Sequence, residues 1–300
     1  MSDTEHLTTD DTVKLTATLP ISVVVPVRNA EAMIEECLES IVRSGPAEII
    51  IVDGCSTDRT LEIASRYTDQ VLSDEGKGVA YARMLGVEAT TSLWVATIDV
   101  DVILPEGALA SLFGEFIDDG YTALQAGLSS VSGPGYWGQA LANHHRTGRS
   151  KNWFGVVATI FERKAMLRYG FDTSYLSGED IDLRWRLRDA GEKIGVSRQT
   201  LVTHRFDDSF EFAMGQWDAD GRGLARMVDG HGGKGLMLLG LPLVAAGRGI
   251  ALSLFRLRPK WVRYYLYFAA YNYRAMFSEL RAIRREGERT TLYDPNTPPT

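Results

Sequence analysis

The stretch Thr97-Ile98-Asp99-Val100-Asp101 closes an apolar run, Leu93-Trp94-Val95-Ala96, with two carboxylates. Such a run reads as a strand covered on both faces, which requires an α/β layered fold. Residues two apart on a strand point to the same side. The spacing therefore predicts that Asp99 and Asp101 project together from the strand's carboxyl end, the edge at which open α/β sheets bind ligands. Two like charges that close call for a cation between them, and a divalent ion with oxygen ligands can then hold a diphosphate. The competing reading of the triplet is a solvated turn.

The segments upstream repeat one strand-helix unit. Ile21-Ser22-Val23-Val24-Val25 is a β-branched strand expected to halt at Pro26. Asn29 is expected to cap a helix whose Met33, Ile34, Cys37, Leu38, Ile41 and Val42 recur at helical spacing, ending at Gly45-Pro46. A second strand, Ile49 to Val52, ends in Asp53, and Ser56-Thr57-Asp58 offers caps for a helix carrying Leu61, Ala64 and Tyr67. Val71-Leu72 is a short strand, and Gly76-Lys77-Gly78 leads into a helix from Val79 to Ala89. This alternation predicts a mostly parallel sheet with right-handed crossovers.

Beyond Asp101 the pattern loosens. Helices are expected over 106–117, 162–169 and from Ser177-Gly178-Glu179-Asp180 to Ala190, with strands over 122–128 and 153–161. Ser129 to Gly138, rich in Ser, Gly and Pro, reads as a loop beside which His144, His145, Arg146, Arg149 and Lys151 form a solvated face or, as the sharper alternative, a site for an acceptor phosphate. A strand pair around Ile194-Val196 and Leu201-Thr203 then delivers His204.

Charge is unevenly spread. Residues 231–300 carry 11 Lys/Arg against 4 Asp/Glu, whereas the preceding 230 hold 21 against 35. An acidic body argues against nucleic acid as a partner. Two cysteines make no disulfide scaffold, and the start of the chain lacks the basic and apolar segments of a signal peptide, so a reduced, cytoplasmic setting is expected.

Five motifs now stand in order: Pro26-Val27-Arg28-Asn29, Ile51 to Thr60 with its Asp53-Gly54, Gly78 to Arg83, Asp99-Val100-Asp101 and Gly178-Glu179-Asp180. Together they resemble the family-2 glycosyltransferases of GT-A fold over about residues 20 to 228. The resemblance implies a Rossmann-like, mostly parallel sheet flanked by helices. It also implies a nucleotide-sugar donor (UDP-, dTDP- or GDP-sugar), a divalent cation (Mn²⁺ or Mg²⁺) and an inverting transfer to a hydroxyl of a glycan, lipid-linked or small-molecule acceptor. Asp180 matches the family's base position, with Glu179 beside it holding the acceptor or the helix start; alternatively both acids only complement a helix N-terminus. Pro26, Val27, Arg28 and Asn29 would wall the base, and Asp53 would accept from its imide or act only as a turn-former. Arg83 would reach ribose or diphosphate, or be an exposed helix arginine. Asp99 would contact ribose or share the metal, and Asp101 would ligate it directly. His204 resembles a further metal ligand of some members, against a structural histidine. Gln216-Trp217 does not continue as the Q-x-x-R-W of processive synthases, which implies single transfers. A sugar nucleotidyltransferase is the alternative, disfavoured because no Gly-rich phosphate loop follows the first strand. A non-catalytic nucleotide-sugar-binding protein is another, disfavoured by retention of all the acids.

The expected organisation is a mobile tail (1–19), a catalytic domain (20–228, its nucleotide half 20–101 and acceptor half 102–228), a helical extension (229–286) and a flexible tail (287–300). The extension matches no family motif. Its apolar run 236–246 is broken by Pro242, and an arginine, Arg248, precedes the next run, 250–255, which disfavours a simple transmembrane span. Arg256, Arg258, Lys260 and Arg263, followed by Trp261, Tyr264, Tyr265, Tyr267 and Phe268, suit a headgroup layer, so residues 234–285 are read either as a peripheral contact at the inner face of a membrane or as a helical cap on the catalytic domain or on a second subunit of a homodimer.

Overall fold

The computed structural model describes residues 18–148, 153–173, 175 and 177–292. Nearly all of the expected N-terminal tail, residues 293–300 of the C-terminal one, and Arg149 and Lys151 lie outside the described residues.

The first half is built from β1 (Leu19–Val27), α1 (Ile34–Arg43), β2 (Pro46–Asp53), α2 (Thr60–Ala64), β3 (Val71–Ser73), α3 (Val79–Ala89) and β4 (Trp94–Ile98). It continues through β5 (Val102–Ile103), α4 (Ala108–Asp118), β6 (Ala123–Ser132), α5 (Tyr136–Thr147), β7 (Ala158–Glu162), α6 (Arg163–Tyr169), α7 (Glu179–Asp189) and β8 (Ile194–Phe206). One eight-stranded sheet runs β3-β2-β1-β4-β7-β6-β8-β5. The first four strands are mutually parallel, and only β7 and β5 run against the rest. The expected mostly parallel α/β sheet is thus present.

Alternation along the strands explains the layering. Val23, Val25, Ile49 and Ile51 point into one layer with Ile34, Cys37, Leu38 and Ile41 of α1 and Leu112 and Phe116 of α4. Val24, Ile50 and Val52 point into the other, with Ala80 and Val87 of α3, Met166 of α6 and Leu183 and Leu187 of α7. The runs Val23–Val25 and Ile49–Val52 are apolar throughout because each of their faces meets a helix layer. At Gly86 a side chain is excluded, since a Cβ there would stand 2.2 Å from Val24 Cγ1. That close approach seats α3, and with it Arg83 one turn earlier, against the sheet.

Several local expectations give way to tertiary context. Strand β1 runs through Pro26 to Val27, beyond the end of its pairing with β4 at Val24, where one side of the strand no longer needs a donor. Asn29 does not cap α1: it sits at φ +47°, its Oδ1 accepts from Thr57 N at 2.8 Å and its own N–H donates to Ser56 Oγ at 2.8 Å. The residue instead ties the loop after β1 to the loop after β2. Most of Ser129–Gly138 is not loop, because β6 continues to Ser132 beside β8 and α5 begins at Tyr136. The expected strand pair before His204 is one strand, irregular only opposite Gln125 and Gly127.

The C-terminal part consists of α8 (Phe210–Leu236), kinked at Gly232, a 3₁₀ turn (Met237–Gly240), α9 (Leu241–Phe255) and α10 (Val262–Leu292). Pro242 does not interrupt the apolar run, since it occupies the first turn of α9, where no N–H is required. Met237–Phe255 is long and apolar enough to cross a membrane, with 28% of that stretch buried. Trp261, Tyr264, Tyr265 and Phe268, expected at a headgroup layer, are instead buried with Trp217 of α8 and Ala140 and Leu141 of α5. The sequence pattern alone does not distinguish a ring facing lipid from one facing another helix.

Candidate active site

The two loops at the carboxyl edge of β1 and β2 form one wall. Asp53, buried at the end of β2, accepts the Ser56 N–H with both carboxylate oxygens, at 3.2 and 3.1 Å, so it shapes the turn while keeping lone pairs unused. Pro26 and Val27 lie in the strand end, and Arg28 and Asn29 are exposed beside them. Gly54 donates its N–H to Val27 O at 2.8 Å, and a Cβ there would touch Arg28 at 3.4 Å.

Asp99 and Asp101 do not lie on a strand. Strand β4 ends at Ile98, and the two acids occupy a turn closed by Val102 N–H donating to Asp99 O at 3.0 Å. Their division of labour follows from that turn, not from strand alternation. Asp99 turns to Arg83, whose Nη2 donates to Asp99 Oδ1 at 2.7 Å. Arg83 is neither exposed nor free: it is buried, and its Nη1 donates to Glu179 Oε1 at 2.7 Å. Burial, opposed by Arg83 and reinforced by Asp101, pushes the Asp99 carboxyl up to about 6.

Asp101 turns the other way, its Oδ2 lying 3.2 Å from Nε2 of the buried His204, which β8 brings opposite Val102 of β5. Burial pulls the imidazole down, but the Asp101 charge and hydrogen bond outweigh it, and the net shift is upward. Asp101 Oδ1 and His204 Nδ1 are both shielded from water without a hydrogen-bond partner. An orphaned carboxylate oxygen beside an imidazole is a donor set that fits a divalent cation. Among the described residues no group of three or more His, Cys, Asp or Glu is arranged as a ready cage, so an ion here would need oxygens from a ligand.

Helix α7 supplies the acids Glu179 and Asp180. It starts at Gly178 in the left-handed region, φ +86°, where a Cβ would lie 3.2 Å from the Gly223 backbone of α8. Glu179 is committed to Arg83. Asp180 is half-buried, accepts from the Ile181 N–H, and has its carboxyl pushed up to about 7 by burial and by Glu179, against Arg83. Asp220 of α8 adds to that shift and is itself pushed up to about 6, although its residue is exposed. Both acids thus combine a protein surround that raises their carboxyls with residues that still reach water. No local signal marks Asp220, because Asp218-Ala219-Asp220 has the composition of ordinary helix surface.

His144 and His145 are not a solvated face. His144 packs against the rings of Tyr264, Tyr265 and Phe268, and His145 against those of His204 and Phe206; burial lowers both, His144 to about 4. Arg146, by contrast, is exposed and donates to Ser130 O at 3.2 Å.

A pre-mycofactocin glycosyltransferase of Mycobacterium tuberculosis is 30% identical over 200 residues, 61% of this chain and 42% of the relative. A PGL/p-HBAD biosynthesis glycosyltransferase of Mycobacterium bovis is 32% identical over 106 residues, 33% of this chain and 41% of the relative. The matches span about two fifths of the length of these curated relatives. A mannosyltransferase from Pyrobaculum calidifontis, solved with GDP-Man and Mn²⁺, superposes with a TM-score of 0.60 at 19% identity, covering 88% of this chain and 89% of its own. Residues 1–349 of TarS from S. aureus, solved with UDP-GlcNAc, give 0.54 at 15% identity over 90% and 92%. At such identities the likeness concerns the fold. The family model described as Glycosyl transferase family 2 matches residues 22–175, slightly more than half of the sequence, on the segment that builds the wall, the acidic turn and the approach to α7, and the chain therefore belongs to glycosyl transferase family 2.

Proposed function

We propose that the protein transfers a sugar from a nucleoside-diphosphate sugar, UDP-, dTDP- or GDP-linked, to an acceptor hydroxyl with inversion, one transfer per encounter. The observation that carries this reading is the arrangement in which Arg83 ties Asp99 of the acidic turn to Glu179 at 2.7 Å each, with Asp180 next to Glu179 at the start of α7, half-buried and its carboxyl raised to about 7. A base must be ionised near neutrality and still hold a proton well, and a carboxylate tuned to that range does both. Asp180 takes the acceptor proton while Arg83, locked between Asp99 and Glu179, keeps the helix start and the acidic turn at fixed separation. Asp53 and Pro26 to Asn29 hold the base and Asp99 the ribose. Asp101 and His204 would hold a divalent ion, Mn²⁺ or Mg²⁺, which when bound supplies positive charge to the leaving diphosphate.

The reading extends to a membrane surface. Leu254 to Lys260, the tip joining α9 to α10, is exposed without a break, with Phe255 at 86% and Leu257 at 87% interleaved with Arg256 and Arg258. Apolar side chains flanked by cations are the composition that docks on anionic lipid. A peripheral site at an inner membrane face fits a lipid-linked or other envelope-glycan acceptor.

Thermal unfolding with Mn²⁺ and a series of sugar nucleotides tests the donor. A ligand at 100 times its Kd adds about 2.7 kcal/mol, a readily measured rise in Tm. Protection by one nucleotide class, lost in Asp53→Ala, supports the reading; no protection by any sugar nucleotide overturns it.

A further inference from the structure

We propose that Arg184, laid on the face of Trp153, recognises an oxyanion, phosphate or carboxylate, carried by the acceptor within a few bonds of its reacting hydroxyl. The inference rests on Asp180 as the base. Arg184 lies four residues after Asp180 on α7 and so on the same face of the helix, where side chains start about 5–6 Å apart. Its guanidinium carbon is 3.9 Å from the centre of the Trp153 ring. Gly155 stands between ring and base: a Cβ there would be 3.4 Å from Asp180 Oδ2 and 3.5 Å from Trp153 Cδ1. Base, ring and cation thus form one continuous surface.

The platform is fixed from below. Gln125 on β6 is wholly buried, donates through Nε2 to Trp153 O at 3.1 Å and accepts from Gly155 N at 2.8 Å. Such a buried amide with both ends engaged holds the Trp153 segment to the sheet.

Among the described residues nothing supplies a hydrogen-bonding or ionic partner for the cation. Arg184 Nε and Nη1 are shielded from water and have no hydrogen-bond partner, and no carboxylate of the described residues lies within ion-pair distance of it. Its neighbour Arg186, two residues on, is by contrast bound by Asp182 and by the carbonyl of Gly170. Charged donors left unmet are costly, and a guanidinium held by stacking alone is free to turn them toward an incoming anion. An anion at Arg184 also offsets the repulsion that Asp180 would exert on a negatively charged acceptor. Separation by one helical turn selects acceptors in which hydroxyl and oxyanion are close, as in hydroxy acids and phosphorylated alcohols, whether free or as the end group of a lipid-linked acceptor.

The test uses the full chain with Mn²⁺ and whichever of UDP or GDP binds, titrated calorimetrically with glycerol 3-phosphate, glycerate and glycerol. Both anions are expected to bind saturably and glycerol not; the tighter of the two identifies the oxyanion. Arg184→Gln should weaken the anions by roughly tenfold or more, Arg184→Lys should recover part of that, and nucleotide affinity should be unchanged in both. Absence of saturable anion binding to the wild-type chain, or equal binding by wild type and Arg184→Gln, overturns the proposal. So does a parallel loss of nucleotide affinity, which would give Arg184 to the donor diphosphate. Failure of the transfer reading looks different, since the wild-type chain then binds no nucleotide with Mn²⁺.

Discussion

Arg83 and Glu179, 96 positions apart in the sequence, meet at 2.7 Å with both side chains at most 9% exposed. The same guanidinium holds Asp99, so one cation sits between two carboxylates brought from different elements. Removing it leaves the buried Glu179 and the half-buried Asp99 without compensation, and breaking such a buried pair costs about 3–5 kcal/mol. Arg83→Met should therefore lower the denaturation midpoint strongly, whereas Arg83→Lys, which keeps the charge but not the two-ended reach, should fall between. A midpoint unchanged in Arg83→Met would show that the pair is not maintained in solution.

The pH dependence of turnover follows from Asp180. Its carboxyl is raised from 3.8 to about 7, so the base form is populated only as pH rises through that value. Below it kcat/KM should fall about tenfold per pH unit, and Asp180→Asn should lower kcat by roughly 10²–10⁴-fold and abolish that limb. The stability sign is opposite to that of a salt-bridged acid. The folded state binds this proton more tightly than the unfolded one, so the contribution is most favourable below about pH 4 and is lost as pH climbs through about 7. Asp180→Asn should accordingly unfold at a higher temperature than wild type above pH 7, with the gap closing in acid.

Asp101 and His204 separate a metal role from a structural one. Asp101→Ala should abolish both transfer and Mn²⁺-dependent protection by nucleotide, and a chelator should do the same to the wild-type chain. His204→Ala should weaken Mn²⁺ more than Mg²⁺, because imidazole suits the softer ion. Activity that survives both the chelator and Asp101→Ala would remove the ion from the mechanism.

The exposed tip between α9 and α10 makes a membrane prediction. Wild-type protein should float with anionic liposomes, and Phe255→Ser with Leu257→Ser should reduce the bound fraction by roughly tenfold or more, since each buried apolar side chain contributes about 1.5–3 kcal/mol. Salt should weaken binding, because each surface cation adds about 1 kcal/mol on such lipid. Recovery of wild type in the soluble fraction at both low and high salt sinks the idea.

Apolar β-branched runs ending in Asp53 and in Asp99 specify strands buried on both faces, and the helical spacing from Ile34 to Ile41 specifies what covers one of them; both signals are local and survive folding intact. The motif order likewise brought the acids to the carboxyl edge of one sheet. What local patterns cannot encode is which partner a side chain meets. Asn29 bonds across to Thr57 instead of capping α1, Arg83 is consumed by two acids, His144 and His145 become packing, and Trp261, Tyr264 and Tyr265 turn inward. Asp220 and Arg184 sit in patterns of ordinary helix surface until α8 and α7 pack together, where burial raises one carboxyl and leaves two nitrogens of one guanidinium without an acceptor among the described residues. Periodicity and turn chemistry therefore determined the elements and their layers, while charge pairing, proton affinity and exposure were decided by the tertiary structure, because these depend on distances between segments far apart in the chain.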